Sequence, residues 1–259
     1  NSQIHTVQLT ELKPGTRYYY RAVTSSLISE IYDFITPYDP SSESSLKIVA
    51  MSDMQKDWSN WDKYDEIIHE GIMDYLTDEY SDDLPEELQM ILIAGDLVDT
   101  GSNYTHWTDH FFSPSAPLFA HVPLYPVLGN HEANTNYYFK YFNLPENGSA
   151  GYEEHWWFTD NSNVRVIGLD SNWDFQLDVQ LNWLEDVLAD ACYNPQIDFV
   201  FAQLHHPYKS ELWIDGNTDY TGEVITLMEG FTDECSKPTI HFFGHTHGYS
   251  RGQSRDHEH

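Results

Sequence analysis

Five short apolar runs in this chain each stop at residues able to hold a proton or a cation, and that repetition constrains the fold more than any other feature. LKIVAM runs into Ser52-Asp53-Met54-Gln55, MILIA into Gly95-Asp96, LYPVL into Gly129-Asn130-His131-Glu132, FVFAQL into His205-His206, and TIHFF into Gly244-His245-Thr246-His247. Runs of this length bounded by turn signals predict buried strands. Taken singly, an Asp after such a run is a turn former and a His a satisfied polar residue. Taken together, the tips of strands in one open α/β sheet line the edge where such sheets bind ligands. Gathering so many unpaired polar groups there without a cation would cost on the order of several kcal/mol.

Helical periodicity fills the intervals. Tyr64, Ile68, Ile72, Tyr75 and Leu76 form one apolar stripe, Leu177, Leu181, Leu184, Leu188 and Ala191 a second, and Val224, Leu227, Met228 and Phe231 a third, all reading as core. Trp156 to Phe158, a turn over Asp160 to Asn163 and the run VRVIGLD predict a hairpin, so a mixed sheet is expected. The fold class is therefore α/β over residues 46–259, a domain expected to be truncated at its C-terminal end. Upstream, LKPGTRYYYRAV pairs a Pro-Gly turn with alternation through Tyr18, Tyr20 and Ala22, the signature of strands from a separate β-domain over residues 1–37. Residues 38–45, YDPSSESS, read as the linker. The chain opens mid-pattern, so further sequence, including any signal peptide, is expected to precede it.

Charge narrows the partners. Against 42 Asp and Glu stand 12 Lys and Arg, a formal net charge of -30, which repels a long polyanion and excludes extended nucleic acid as a partner. No run is long and apolar enough to span a bilayer. The acidity serves either solubility or the binding of cations, and placement decides between them.

The ordered set DMQ, GDLVDTG, GNHE, HHP and GHTH resembles the calcineurin-like metallophosphoesterase superfamily from Leu46 onward. Asn143-Leu144-Pro145, Asp170-Ser171 and GHTHGYSR are similar, more narrowly, to purple acid phosphatases, and residues 1–37 resemble the last strands of a fibronectin type III-like module. The resemblance implies two mixed β-sheets packed as a sandwich and flanked by helices. It implies two metal ions, drawn from Fe, Zn, Mn and Mg, and a small phosphorylated substrate. Asp96 would bridge the ions, with Asp53, Gln55 and His247 on the first and Asn130, His205 and His245 on the second. A hydroxide shared by two cations about 3.5–4 Å apart would attack phosphorus. His131 would contact phosphate or protonate the leaving group, while Asp99, Glu132 and His206 would support ligands or touch substrate. The implied activity is hydrolysis of phosphomonoesters, with a phosphodiesterase of the same fold, or a metal-impaired binding module, as the alternatives.

Two departures from the family pattern stand out. Gln55 replaces the imidazole of the usual Asp-x-His, and Asp99 stands where purple acid phosphatases carry an iron-binding Tyr. The family's paired substrate histidines downstream are also unmatched, because residues 211–217 read ELWIDGN. His69, His106, His110 and His121 lie off the strand tips and read as surface or structural, whereas His257 and His259 sit in a polar tail. Cys192 and Cys235 each close a helical stripe just before a strand that ends in a candidate ligand. If those strands are parallel neighbours, the two cysteines share one sheet edge within disulfide reach, which predicts a bridge and an extracytoplasmic protein.

Overall fold

The computed structural model describes residues 3–56 and 61–252; His257 and His259 lie outside them. Strands β1 (Arg17–Tyr20) and β4 (Tyr32–Ile35) pair antiparallel, and between them β2 (Val23–Thr24) and β3 (Leu27–Ile28) make a small hairpin. This N-terminal β-structure is latched to the rest by polar contacts. Arg17 bridges Asp33 and Asp83, His121 Nδ1 lies 2.7 Å from Asp33 Oδ1, and the Tyr20 hydroxyl donates to the Ala120 carbonyl. The segment expected as a linker is tied down as well. Tyr38 N–H donates to Asn161 Oδ1, and Ser162 donates to the carbonyls of Tyr38 and Ser44.

Strands β5 (Ile48–Met51), β6 (Met90–Ile93) and β7 (Leu124–Pro126) form a sheet in the order β5-β6-β7, with every pairing parallel. A second sheet runs β11-β10-β9-β8, from β8 (Trp157–Asn161), β9 (Val164–Gly168), β10 (Phe199–Gln203) and β11 (Thr239–Phe242). Mixing is confined to this sheet, where β8 alone is antiparallel to its neighbour. The hairpin turn is tighter than expected: Asp160 and Asn161 belong to β8, leaving Ser162 and Asn163 at the bend.

Alternation along the strands builds two cores. Met90, Leu92, Val164, Val166 and Trp157 belong to a cluster joined by Phe201 and Phe242, which fills the space between the sheets. Ile167, Val200, Ala202 and Leu204 pack instead with Leu184, Leu188, Val224 and Met228 of helices Asp178–Tyr193 and Asp219–Cys235. On the far side of the first sheet, the helical stretch Lys63–Glu66, Ile67–Asp74, Tyr75–Glu79 buries Tyr64, Ile68, Ile72 and Leu76. Tyr75, expected in that stripe, points outward, because a spacing of four residues follows the π-wound middle of the stretch and leaves Tyr75 off the buried line.

The expected parallel pairing of β10 with β11 is present, and Cys192 and Cys235 form a disulfide with a Cα–Cα distance of 5.5 Å. No helix of the described residues is long and apolar enough to cross a membrane.

Candidate metal centre

The polar tips of β5, β6, β7, β10 and β11 meet at one edge, across the two sheets. Four of the residues involved hold a left-handed backbone: Asp53 (φ 57°), Asp96 (φ 54°), His245 (φ 72°) and His247 (φ 50°). Non-glycine residues rarely adopt this region, and where they do the surroundings must enforce it. Close backbone approach supplies the enforcement. A Cβ on Gly129 would collide with the backbone nitrogen and carboxylate of Asp96, and one on Gly244 would collide with Ser52 and the Asp53 carboxylate. The His245 amide donates to both oxygens of Asp53 at 2.9 Å, which joins the ends of β5 and β11.

Two groups of potential ligand atoms result. Asp53, Asp96 and His247 present atoms within 4.8 Å of one another, and so do His205, His206 and His245. Around His205 Nε2 lie Asp96 Oδ2 at 3.1 Å, Asn130 Oδ1 at 3.1 Å and His245 Nδ1 at 3.2 Å. Ligands bonded to a tetrahedral ion at about 2.0–2.1 Å stand about 3.3–3.4 Å apart, so the three separations from His205 Nε2 are close to those a metal would impose. The ring is oriented from behind: His205 Nδ1–H donates to the Ala94 carbonyl at 2.8 Å, which leaves Nε2 as the atom that faces the cluster. Gln55 lies beside His247, with 3.0 Å between its amide nitrogen and Nε2, while its buried Oε1 has no hydrogen-bond partner. A buried, orphaned oxygen on the side chain that adjoins His247 is a fitting ligand for a hard cation.

The electrostatics agree. Burial pushes the Asp53 carboxyl up, whereas at Asp96 the same burial is outweighed by His205 and by the His131 amide, which hold its carboxyl below the ordinary range. Burial lowers the affinity of His205 for a proton, yet Asp96 and Asp53 raise its pKa to about 9. Burial and the charge on His205 send His206 down to about 3 and His245 down to about 4. The acids thus draw positive charge to His205, where a cation would take its place, while His206 and His245 stay neutral, as metal ligation requires.

Behind the candidate ligands, Glu132 is fully buried and accepts from the amides of Asp96, Leu97, Val98 and Gly129. Its carboxylate binds the Gly-Asp turn to the Gly-Asn turn. Burial raises it to about 7, against the pull of those amides. His131 donates from Nδ1 to the Asp99 carbonyl at 2.6 Å, so Nε2 stands 3.9 Å from Asp96 Oδ2 at the open side of the cluster.

A model of the calcineurin-like phosphoesterase family matches residues 46–249. The chain belongs to that family. Among curated relatives of this calcineurin-like phosphoesterase, probable purple acid phosphatase 20 of Arabidopsis thaliana is 26% identical over 267 residues, covering 97% of this chain and 56% of the relative. The chain therefore spans little more than half of that relative's length. Among solved structures, purple acid phosphatase PPD1 from yellow lupin (Lupinus luteus) superposes with a TM-score of 0.67 at 17% identity, over 92% of this chain and 45% of that one. PhoD superposes with a TM-score of 0.61 at 12% identity, over 90% of this chain and 57% of that one. Both share the fold.

Three neighbours of the centre were given no role from the sequence, although Ser171 belongs to the Asp170-Ser171 motif. Ser171 accepts the amides of His205 and His206 and lies 3.0 Å from His206 Nδ1, setting the turn after β10. His106, read from sequence as surface or structural, accepts the Thr100 amide and stands 3.8 Å from Asp99 Oδ2, within the loop that carries Asp99. Trp213 lies against the His245 ring, with 4.7 Å between centroids. His69 and His121 are away from the centre, the first beside Asp65 and the second in the N-terminal latch.

Proposed function

We propose that this calcineurin-like phosphoesterase is a dinuclear metal-dependent hydrolase of small phosphomonoesters. One observation carries the reading: the Asp96 carboxylate belongs at once to the Asp53–His247 group and, through Oδ2, to the atoms around His205. A shared carboxylate is what two adjacent cations need. Asp53, Gln55, Asp96 and His247 would hold the first ion, and Asp96, Asn130, His205 and His245 the second. The first set leans toward oxygen and suits Mn or Mg, while the second, with two imidazoles, suits Zn or Fe. Bound there, two cations would supply an acidified water and neutralise phosphoryl charge.

The chain's own residues complete the site. His131, oriented by the Asp99 carbonyl, offers Nε2 to a phosphoryl oxygen or gives a proton to the leaving oxygen. Glu132 keeps the Asp96 and Asn130 turns in register, and His206 is aligned by Ser171 at the substrate side. Residues 46–259 would form the catalytic unit, with residues 1–37 an appended fibronectin type III-like module. The disulfide supports an extracytoplasmic location.

The test is turnover of an aryl phosphate monoester and the matching diester after reconstitution with Mn, Zn, Fe or Mg. Faster monoester cleavage is expected. Diester preference would redirect the substrate class, and no turnover with any metal would leave a binding module. Alkylation under denaturing, non-reducing conditions should find no free thiol, and two free thiols would remove the argument for secretion.

A further inference from the structure

Trp213 is 47% exposed although one of its neighbours is the His245 ring, at 4.7 Å between centroids and 31° between planes. The stack is braced from the edge, since a Cβ on Gly216 would lie 2.8 Å from both Trp213 Cε3 and His245 Cδ2. His245 itself turns Nδ1 toward His205 Nε2, so the indole lies one ring away from the candidate centre. Trp213 precedes the short helical turn Ile214–Gly216, and Asn217 Oδ1 accepts the Ser210 amide across the base of the loop. The loop is thereby closed, and its aromatic side chain is held at the rim with nearly half its surface open to solvent. Burying a large ring only to shield a histidine would not leave so much of it exposed.

We propose that Trp213 is a specificity-determining platform on which a phosphoester stacks a planar aromatic group carried by its leaving alcohol, such as the base of a nucleoside, while its phosphoryl group occupies the metal centre. The inference rests on the proposed phosphoesterase reading and names the substrate class for it. Base-on-aromatic stacking at such a platform changes affinity by roughly tenfold.

Adenosine 5′-phosphate and ribose 5-phosphate test this directly, because they share the leaving oxygen and differ by the base. Ratios of kcat/KM are compared on the metal-loaded full chain, beside calorimetric binding of the two phosphonate analogues in which methylene replaces the ester oxygen. The wild-type chain should favour the adenosine compounds about tenfold in both assays, Trp213→Phe should keep the preference, and Trp213→Leu and Trp213→Ala should bring it close to unity. The Phe and Leu pair decides the matter if Trp213→Ala fails to fold, since both retain apolar bulk over His245. Equal binding of the two phosphonates by the wild type, or a preference kept in Trp213→Leu, would overturn the platform and leave the hydrolase reading standing. Failure of both phosphonates to bind would overturn both readings. Base-selective binding without turnover would overturn the hydrolase reading alone.

Discussion

Asp96 and His131 lie within 4 Å of each other and should fail in different ways. Removing the carboxylate common to both ligand groups in Asp96→Ala should empty both metal positions, while His131→Ala should keep the metals and lose on the order of 10²–10³ in kcat. Metal content by mass spectrometry beside kcat separates the two, and metal retained by the Asp96 variant would dismiss the shared-ligand assignment. Gln55→His restores an imidazole donor and should tighten the first position in a metal titration. No phenolate comes from the GDLVDTG loop, so both proteins should lack a purple charge-transfer band. Much of this residue-level picture was legible in the sequence, because strand-tip motifs carry their chemistry in their letters. Ser171 stood in the Asp170-Ser171 motif without a role and Trp213 had no signal, since each acts through a contact between segments far apart in the chain: Ser171 with His205 and His206, Trp213 with His245. The left-handed backbone of Asp53 and His247 was equally silent, because neither residue type announces it.

Among the elements, the strand and helix order followed from apolar periodicity, whereas the distribution of parallel pairing and the tied-down 38–45 segment depended on contacts that periodicity does not encode. The disulfide joins the ends of two helices 43 residues apart in sequence. Replacing both cysteines with Ala should lower unfolding free energy by on the order of 3–4 kcal/mol, read by denaturant melts. Asp33 makes a second testable joint between β4 and the rest of the molecule. Burial opposes its ionisation, but Arg17 and His121 hold its carboxyl below the ordinary 3.8. The folded pKa being depressed, the stabilisation is fully present above 3.8 and is lost as pH falls through the folded value. The stability gap between wild type and Asp33→Asn should therefore shrink as pH falls below 3.8. A gap unchanged down to the acid limit would rule out an ionic role for Asp33.

At the scale of the whole molecule, a net charge of -30 attracts cations and repels anions, so metal ions and the phosphorylated substrates proposed here would meet opposite fields. The left-handed backbone at Asp53, Asp96, His245 and His247 adds a mechanical side to the same dependence. At on the order of 1 kcal/mol each, these conformations together cost a sizeable part of the 5–15 kcal/mol that keeps a typical domain folded. His247→Gly should accordingly raise the melting temperature of the chelated protein while weakening metal uptake; a lower melting temperature would show that the backbone there is relaxed. Supply then becomes a form of quality control: where trace metals run short, chains that cannot be loaded are also the first to unfold and be degraded, and the pool that persists is enriched in working molecules.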